Sequence, residues 1–586
     1  MTKLATLLSI LIISNMAYAQ SPEPFTKTVI NTGYQFEHPF DMFLGDEDSL
    51  WINERSGAVW QVHKSNGGRK QLLNIKSQVM FTRIFSGPTV TGIAQDGMFG
   101  MALHPDAFMG LGKDSFFVAY CYNSSGRKTR ISRFYINPIT KIINPATEVA
   151  ILQNLPGSND HNGGKLIFGG DKMLYYSCGD QGANQFGNAC IEIKSQKDIT
   201  AAQLSAVDYT NYAGHILRLT TGGLIPASNP LFNSVRSHVY SKGHRNPQGL
   251  SWEKDNAGNP VVNGKLYESE QGPVTDDEIN VIESGKNYGW PHINGFNDNQ
   301  FYTYKRWFLS GSCGSYGSEC ATAGDMTGAN APIQESSWTP SDYTNPIESQ
   351  DVTNTPDCSD YLLRGTVAWS SIEHYNPLMG IPGWGNSILL PTLKHSAIIR
   401  YKLNGAGTGI LNSPANGRAF DSIQYFRVGF GINRYRDIAI GANGITLYVI
   451  TDSIGATSGV TAGGGVGGGA GGTLTDRGKL IAYTYQGAAT LLNLNVVPPI
   501  TRAQELEINT YPNPTTDYVI ISSKDVGYKP YQVKFYDALG NLVKEEKLTN
   551  TTQTVRLGNL ANGQYLVLVY NKFNQKISSK KIVVMH

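Results

Sequence analysis

The sequence predicts an all-β chain, a β-propeller followed by a small C-terminal β-sandwich. Three observations lead there. The 586 residues hold 64 glycines and 31 tyrosines but only 16% charged residues, which suits many short strands joined by tight turns. Helical periodicity is nearly absent, while one unit recurs about six times: an apolar strand, a Gly/Asp/Asn turn, and an answering strand that ends on small or polar residues. After about Glu505 the pattern changes to a shorter run of alternating strands.

The N-terminus reads as a cleaved signal peptide over residues 1–19. Lys3 precedes an apolar core from Leu4 to Ile13, and Ala17-Tyr18-Ala19 forms a small-x-small cleavage site before Gln20. That apolar run is shorter than the roughly 20 residues a membrane-spanning helix needs. The propeller is expected over residues 20–490. Its repeated units are PFDMFLGDEDSLWINERSG, GMFGMALHPDAFMGLGKDSFFVAYCYN, GGKLIFGGDKMLYYSCGDQG, PQGLSWEKDNAGNPVVNGKLYESEQG, GTVAWSS with GWGNSILLPTLKHSAIIRYKL, and YRDIAIGANGITLYVITDSIG. Hairpins of this kind serve as inner blade strands, whose ends converge on one face around a central channel. A sandwich or barrel would not by itself gather them there. Residues 455–478 are too glycine-rich to bury a core and read as a flexible surface loop inside the last blade. Residues 491–504 read as a linker, and residues 505–586 as the sandwich. Its YPNP box, DALGNLVK hairpin, LANGQYLVLV strand and final KKIVV resemble the C-terminal sorting domains of the type IX secretion system. The resemblance implies that the chain engages that machinery, crosses the outer membrane, and is released or attached to the cell surface. A carbohydrate-binding or adhesive module is the other reading.

Forty-eight basic residues against 46 acidic ones give a net charge of +2, with no basic block that would track a phosphate backbone, so nucleic acid is excluded as a partner. Export makes the six cysteines candidates for disulfides. Cys313 and Cys320 could close a small loop, with Cys358 competing for either; Cys121, in FFVAYCYN, is expected to be a buried free thiol.

The residues able to do chemistry interrupt the strands. Asp160-His161 precedes a Gly-Gly turn, in a loop from which an imidazole can face a pocket and act as general base, with Asp180 at the end of the returning strand to fix its tautomer. Arg245 and Asn246 stand before a proline that keeps the chain extended, and a guanidinium suits polarising a quinone oxygen or holding an alkoxide. Gly272-Pro273 lies in a run of acids of the kind a hard cation selects, though without EF-hand spacing. Asp277 and Glu278 are adjacent, so both could serve one ion only in an irregular loop. Arg434 and Arg436 are two apart, which on a strand puts both on one face, where they repel unless an anion sits between them. With Lys394 they could neutralise a ligand carrying several carboxylates. Each of these motifs also has a plainer structural reading: a turn histidine, a loop-tying arginine, a solvated acidic turn, or paired strand arginines near Asp437.

Together GHRNPQGL, SEQGPVTDDEINVI with NYGWP, DHNGG with YYSCGDQG, and NRYRD with LYVITD resemble the soluble glucose dehydrogenases that use pyrroloquinoline quinone (PQQ), within the glucose/sorbosone dehydrogenase family of six-bladed propellers. The resemblance runs from about Phe40 to Gln486. It implies oxidation of an aldose at its anomeric carbon to the lactone, with His161 as base, Asp180 orienting it, and Arg245 beside it. It implies that Gln95, Asp160, Gln185, Tyr361 and Arg364 face the sugar. Arg245, Asn246, Thr366, Lys394, Arg434 and Arg436 would hold PQQ. The carbonyls of Gly272 and Pro273 would ligate a catalytic Ca²⁺, and a further Ca²⁺ would draw on Asp277, Glu278, Tyr288, Asp298 and Glu335, with main-chain oxygens of Asn294 and Phe296. In the family that second region supports a homodimer. Electrons would leave to an external acceptor, since the sequence has no C-x-x-C-H haem motif. The chain departs from the family after Cys358: Arg364 takes the place of a tryptophan over the sugar, and Leu363 that of a second cysteine. An acidic sugar thereby joins glucose as a candidate substrate. A calcium-dependent propeller lactonase and a non-catalytic sugar-binding protein are the readings from other classes. Three cations at Lys394, Arg434 and Arg436 speak against a small neutral lactone.

Overall fold

The computed structural model describes residues 25–45, 48–86, 88–309, 313, 331–350, 366–411, 423–426, 433–454, 474–492, 508–523, 532–537, 541–570 and 576–586. Among these, six four-stranded antiparallel sheets form a ring. Blade 1 runs from its inner strand Pro39–Leu44 through Ser49–Glu54 and Ala58–His63 to Arg69–Asn74. The inner strands of blades 2 to 6 are Met98–Leu103, Gly163–Phe168, Pro247–Trp252, Glu373–Tyr375 and Tyr435–Ile440. Consecutive inner strands touch, and that of blade 6 returns to touch that of blade 1. The outermost strand of blade 6 is Phe25–Val29, paired with Leu480–Tyr485, so the first described strand closes the last blade.

The core is divided among the blade interfaces. Trp51, Met98 and Val118 pack between blades 1 and 2; Phe99, Leu166 and Tyr176 pack between blades 2 and 3. Tyr175 and Trp252 fill the next gap, followed by Tyr267 with Leu390, Tyr375 with Ile438, and Met42 with Ile450. Each sheet is therefore covered on both faces, which is why strands such as Ser115–Asn123 read as continuous apolar runs instead of alternating ones. Near the axis a buried ion network ties the inner strands together. Lys165 Nζ of blade 3 lies 2.6 Å from Asp41 Oδ1 of blade 1 and 3.0 Å from Asp437 Oδ2 of blade 6. Asp41 Oδ2 accepts from Met101 N of blade 2 at 2.7 Å. Among the described residues Asp437 thus pairs with Lys165, while Arg434 and Arg436, just before it in sequence, pair elsewhere.

The C-terminal strands form a three-stranded and a four-stranded sheet. Val519, Val533, Phe535, Val567 and Ile582 are buried between them, giving the β-sandwich.

Two insertions rise beside the strand ends. One, at 179–214, joins the second and third strands of blade 3; the other, at 283–347, joins the third and fourth strands of blade 4. They pack through Ala183, Ile193, Trp290 and Tyr302, and Cys190 is bonded to Cys313 across a sequence separation of 123. This corrects the pairings expected for Cys313: its partner comes from the neighbouring blade, because the two insertions lie side by side. Cys121 is buried and free, as is Cys178. Cys320, Cys358, the signal peptide, most of the glycine-rich loop and most of the linker lie outside the described residues.

Candidate active site

In a propeller blade the start of the inner strand and the end of the second strand lie at the same end of the sheet, because the two run antiparallel. The chemistry-bearing residues occupy those two places. Gln95, Asp160-His161, Arg245-Asn246 and Arg434 stand just before the inner strands of blades 2, 3, 4 and 6. Asp180, Gly272, Lys394 and Asp452 stand just after the second strands of blades 3, 4, 5 and 6. A broad cleft lined by Leu44, Phe168, Trp252, Glu373 and Ile440 opens at the other end of the inner strands, away from these residues.

Six of the expected residues form one hydrogen-bonded wall. His161 Nδ1 lies 2.8 Å from Asp180 Oδ1, and Asp180 Oδ2 accepts from Trp290 Nε1 at 2.9 Å. With Nδ1–H donated to that carboxylate, Nε2 keeps its lone pair and accepts from Gln185 Nε2 at 3.1 Å. Gln185 Nε2 also reaches Asp160 Oδ2 at 3.0 Å, and Gln95 Nε2 donates to Asp160 Oδ1 at 2.7 Å. Arg245 donates from one terminal nitrogen to Gln185 Oε1 (3.0 Å) and from the other to the carbonyls of Gln271 (2.9 Å) and Gly272 (3.1 Å). Its Nε is buried without a hydrogen-bond partner among the described residues, and its guanidinium lies 5.3 Å from the Trp290 ring centroid. His161 is buried and has a left-handed backbone (φ 41°), the kind of local strain that surrounding structure must hold in place. Trp290, which anchors Asp180, was not among the sequence candidates; an indole with no polar neighbour in sequence carries no signal of that role.

A second group is cationic. Lys394 Nζ donates to Thr366 Oγ1, and both residues are buried. Arg436 binds Asp452 through Nε (2.8 Å) and a terminal nitrogen (2.7 Å), and reaches Gln248 Oε1 at 3.0 Å. Arg434 Nε lies 3.3 Å from the same carboxylate. The anion that relieves the repulsion between the two arginines is therefore Asp452, which the sequence reading did not single out although it lies in the LYVITD word. Burial raises the Asp452 carboxyl, but Arg436 and Arg434 outweigh this and hold it down at about 2.

The third group is acidic. Glu278 Oε1 accepts from Gly295 N (2.6 Å), and Glu335 accepts from Asn294 N (2.9 Å) and Asn299 N (3.0 Å). Asp298 accepts from Gln300 N at 2.9 Å. Burial pushes the Glu335 carboxyl up to about 8, and the Asp298 and Asp276 carboxylates add to it. One expectation is corrected here. Asp277–Ile282 is a regular strand, so Asp277 and Glu278 point to opposite faces and cannot share one ion. Asp277 accepts instead from Gly272 N (2.9 Å) and Ala368 N (2.7 Å), bracing the Gly272-Pro273 loop. The Tyr288 hydroxyl donates to Val281 O at 2.6 Å and accepts from Glu283 N at 2.9 Å. Asn246 holds Gly163 N (3.2 Å) and Gln271 (3.3 Å), which places it between the wall and the Gly272 loop. Phe296 is exposed. Tyr361 and Arg364 lie outside the described residues.

Residues 36–306 match the family model for glucose/sorbosone dehydrogenases, and residues 509–585 that for a secretion-system C-terminal sorting domain. The chain is 32% identical over 523 residues to quinoprotein glucose dehydrogenase B of Acinetobacter calcoaceticus, covering 83% of this chain and 98% of that one. It is 27% identical to the aldose sugar dehydrogenase of Escherichia coli over 44% of this chain and 60% of the relative. Among solved structures, the PQQ-bound aldose sugar dehydrogenase of Streptomyces coelicolor is similar at a TM-score of 0.48 and 21% identity, with 78% of this chain and 98% of that one covered.

Proposed function

Since the chain belongs to the glucose/sorbosone dehydrogenase family, we propose that it oxidises an aldose at its anomeric carbon to the lactone, with PQQ and Ca²⁺, outside the cell or at its surface. The observation that carries this reading is the His161–Asp180 pair, 2.8 Å apart, with Nε2 turned to the wall of Asp160, Gln185 and Arg245.

The residues present fit both groups. Cationic Lys394, Arg434 and Arg436, with Thr366, Asn246 and the unpartnered Nε of Arg245, suit an acidic, carbonyl-rich quinone. Main-chain oxygens of Gly272 and Pro273 are donors a hard cation selects, and the all-oxygen set of Glu278, Asp298, Glu335, Asn294 and Phe296 fits a second Ca²⁺. PQQ when bound supplies a two-electron acceptor, and Ca²⁺ supplies Lewis acidity. His161 Nε2 takes the proton of the anomeric hydroxyl. Asp180, anchored by Trp290, keeps the ring in the tautomer that leaves Nε2 bare. Gln95, Asp160 and Gln185 orient the sugar, and Arg245 stabilises negative charge on the reacting oxygen. Arg364, where the family has a tryptophan, favours an acidic aldose, and electrons leave to a separate carrier. The sorting domain directs passage through the type IX system after signal-peptide removal, and the region around Glu335 supports a homodimer.

The test is reconstitution: purified protein is loaded with PQQ and CaCl₂, and reduction of an artificial dye is followed with glucose and with glucuronate. Dye reduction should require both PQQ and sugar, and should be faster with glucuronate. Lactone hydrolysis without dye reduction would replace this reading with the lactonase, and binding without turnover with a carrier.

A further inference from the structure

Behind the Arg245 wall, in blade 4, three buried side chains remain outside the chemistry described so far. Glu268 and Glu270 share one face of the strand Leu266–Glu270, being two residues apart, and His244 lies against that face. One ligand atom from each of the three falls within 4.8 Å of the others. His244 and Glu268 are each anchored at one atom and bare at the other, and Glu270 turns its second oxygen to the imidazole. His244 Nε2 meets Ser241 Oγ at 2.9 Å, while Nδ1 has no hydrogen-bond partner among the described residues. Glu268 Oε2 accepts from Asn280 Nδ2 at 3.0 Å, while Oε1 has no hydrogen-bond partner among the described residues. Glu270 Oε2 accepts from Arg245 N at 2.6 Å, leaving Oε1 at 3.5 Å from His244 Nδ1. The Tyr288 ring stacks on the imidazole at 5.0 Å and fixes its plane. Asn280, paired directly across from Glu268, has no hydrogen-bond partner for its carbonyl oxygen among the described residues.

We infer that His244 Nδ1, Glu268 Oε1 and Glu270 Oε1 form a binding site for a divalent transition ion of the zinc class, distinct from the oxygen-only sites for calcium.

The chemistry of the donors separates the two kinds of site. An imidazole nitrogen with two carboxylates suits Zn²⁺ or Mn²⁺, whereas Ca²⁺ prefers six to eight oxygens. The outer contacts do what such partners do in metal sites: Ser241 Oγ can accept from Nε2–H when Nδ1 binds the ion, and Asn280 and the Arg245 amide orient the carboxylates. Charge balance points the same way. Glu268 and Glu270 are both buried, and a dication beside two carboxylates removes the cost of holding their charges out of water. Because Glu270 also holds the Arg245 amide, the ion would stiffen the segment that carries Arg245.

The site can be tested without any turnover, so its failure is separable from that of the proposed reaction. Full-length, PQQ-free protein is stripped with EDTA, returned to millimolar CaCl₂ to fill the oxygen sites, titrated with ZnCl₂ and analysed for metal content. One equivalent of zinc should be retained per chain, and Glu268→Gln should lose it while keeping the wild-type circular dichroism spectrum. Crystals of the zinc-loaded wild-type protein should give an anomalous peak about 2.0–2.1 Å from His244 Nδ1, which settles the matter if the variant does not fold. Zinc freely displaced by calcium, unchanged retention in Glu268→Gln, or a peak elsewhere overturns the inference.

Discussion

His161 concentrates the proposed chemistry in one atom, Nε2. His161→Ala is expected to lower kcat by about 10²–10⁴-fold while PQQ titration still gives full occupancy. Asp180→Asn should lower kcat by about 10²-fold or more through the wrong tautomer, with little change in KM; a KM effect alone would remove Asp180 from its orienting role. Asp452 makes a prediction about pH. Its folded-state carboxyl sits near 2, below the ordinary value of about 3.9, so its contribution to stability is complete above about pH 4 and fades as pH falls towards 2. Asp452→Asn leaves two buried arginines uncompensated and should cost about 3–5 kcal/mol near neutrality. In urea unfolding the gap between wild type and variant should narrow at pH 2–3, and a constant gap would contradict the pairing. At this scale the sequence was informative wherever a residue type announces its chemistry: His161, Asp180, Arg245 and the two arginines could be picked out by eye. It was silent on Trp290 and Asp452, whose roles depend on which loop faces which across blades.

Strand ends are where elements become a site. Adjacent blades present the start of one strand and the end of the next at a common rim, so residues from Gln95 to Asp452 stand at the same strand ends without being neighbours in sequence. The alternating and continuous apolar runs made the strands legible. The face each acid uses was not, because Asp277 and Glu278 could be sorted only once a regular strand replaced the expected irregular loop. The Cys190–Cys313 bond was hidden for a similar reason, since it joins insertions from two blades. Closing a loop of that length gives about 5 kcal/mol in the chain-entropy view. Cys190→Ser should therefore lower unfolding free energy by about 2–5 kcal/mol, and thiol reduction of the wild type should match it; an unchanged midpoint would mean that the packing around Trp290 and Tyr302 suffices.

For the whole molecule, the ring and the sandwich have separate cores. A chain ending at residue 492 should keep PQQ-dependent dye reduction and its melting temperature while being retained inside the outer membrane. Loss of folding in that truncation would show that the sandwich supports the ring. A chain beginning at Ile30 lacks the strand Phe25–Val29 and bares the edge of Leu480–Tyr485. An open edge of that kind pairs with other chains, so gel filtration should show oligomers and a broadened melting transition.

That closing strand also sets a clock. Phe25–Val29 leaves the ribosome before the other described strands, but its partner follows roughly 450 residues later, which at roughly 5–20 residues per second is a wait of roughly 22 to 90 seconds. For that time the inner strands can assemble blade by blade while blade 6 stays open. An exported chain thus has a built-in delay during which translocation can win over folding.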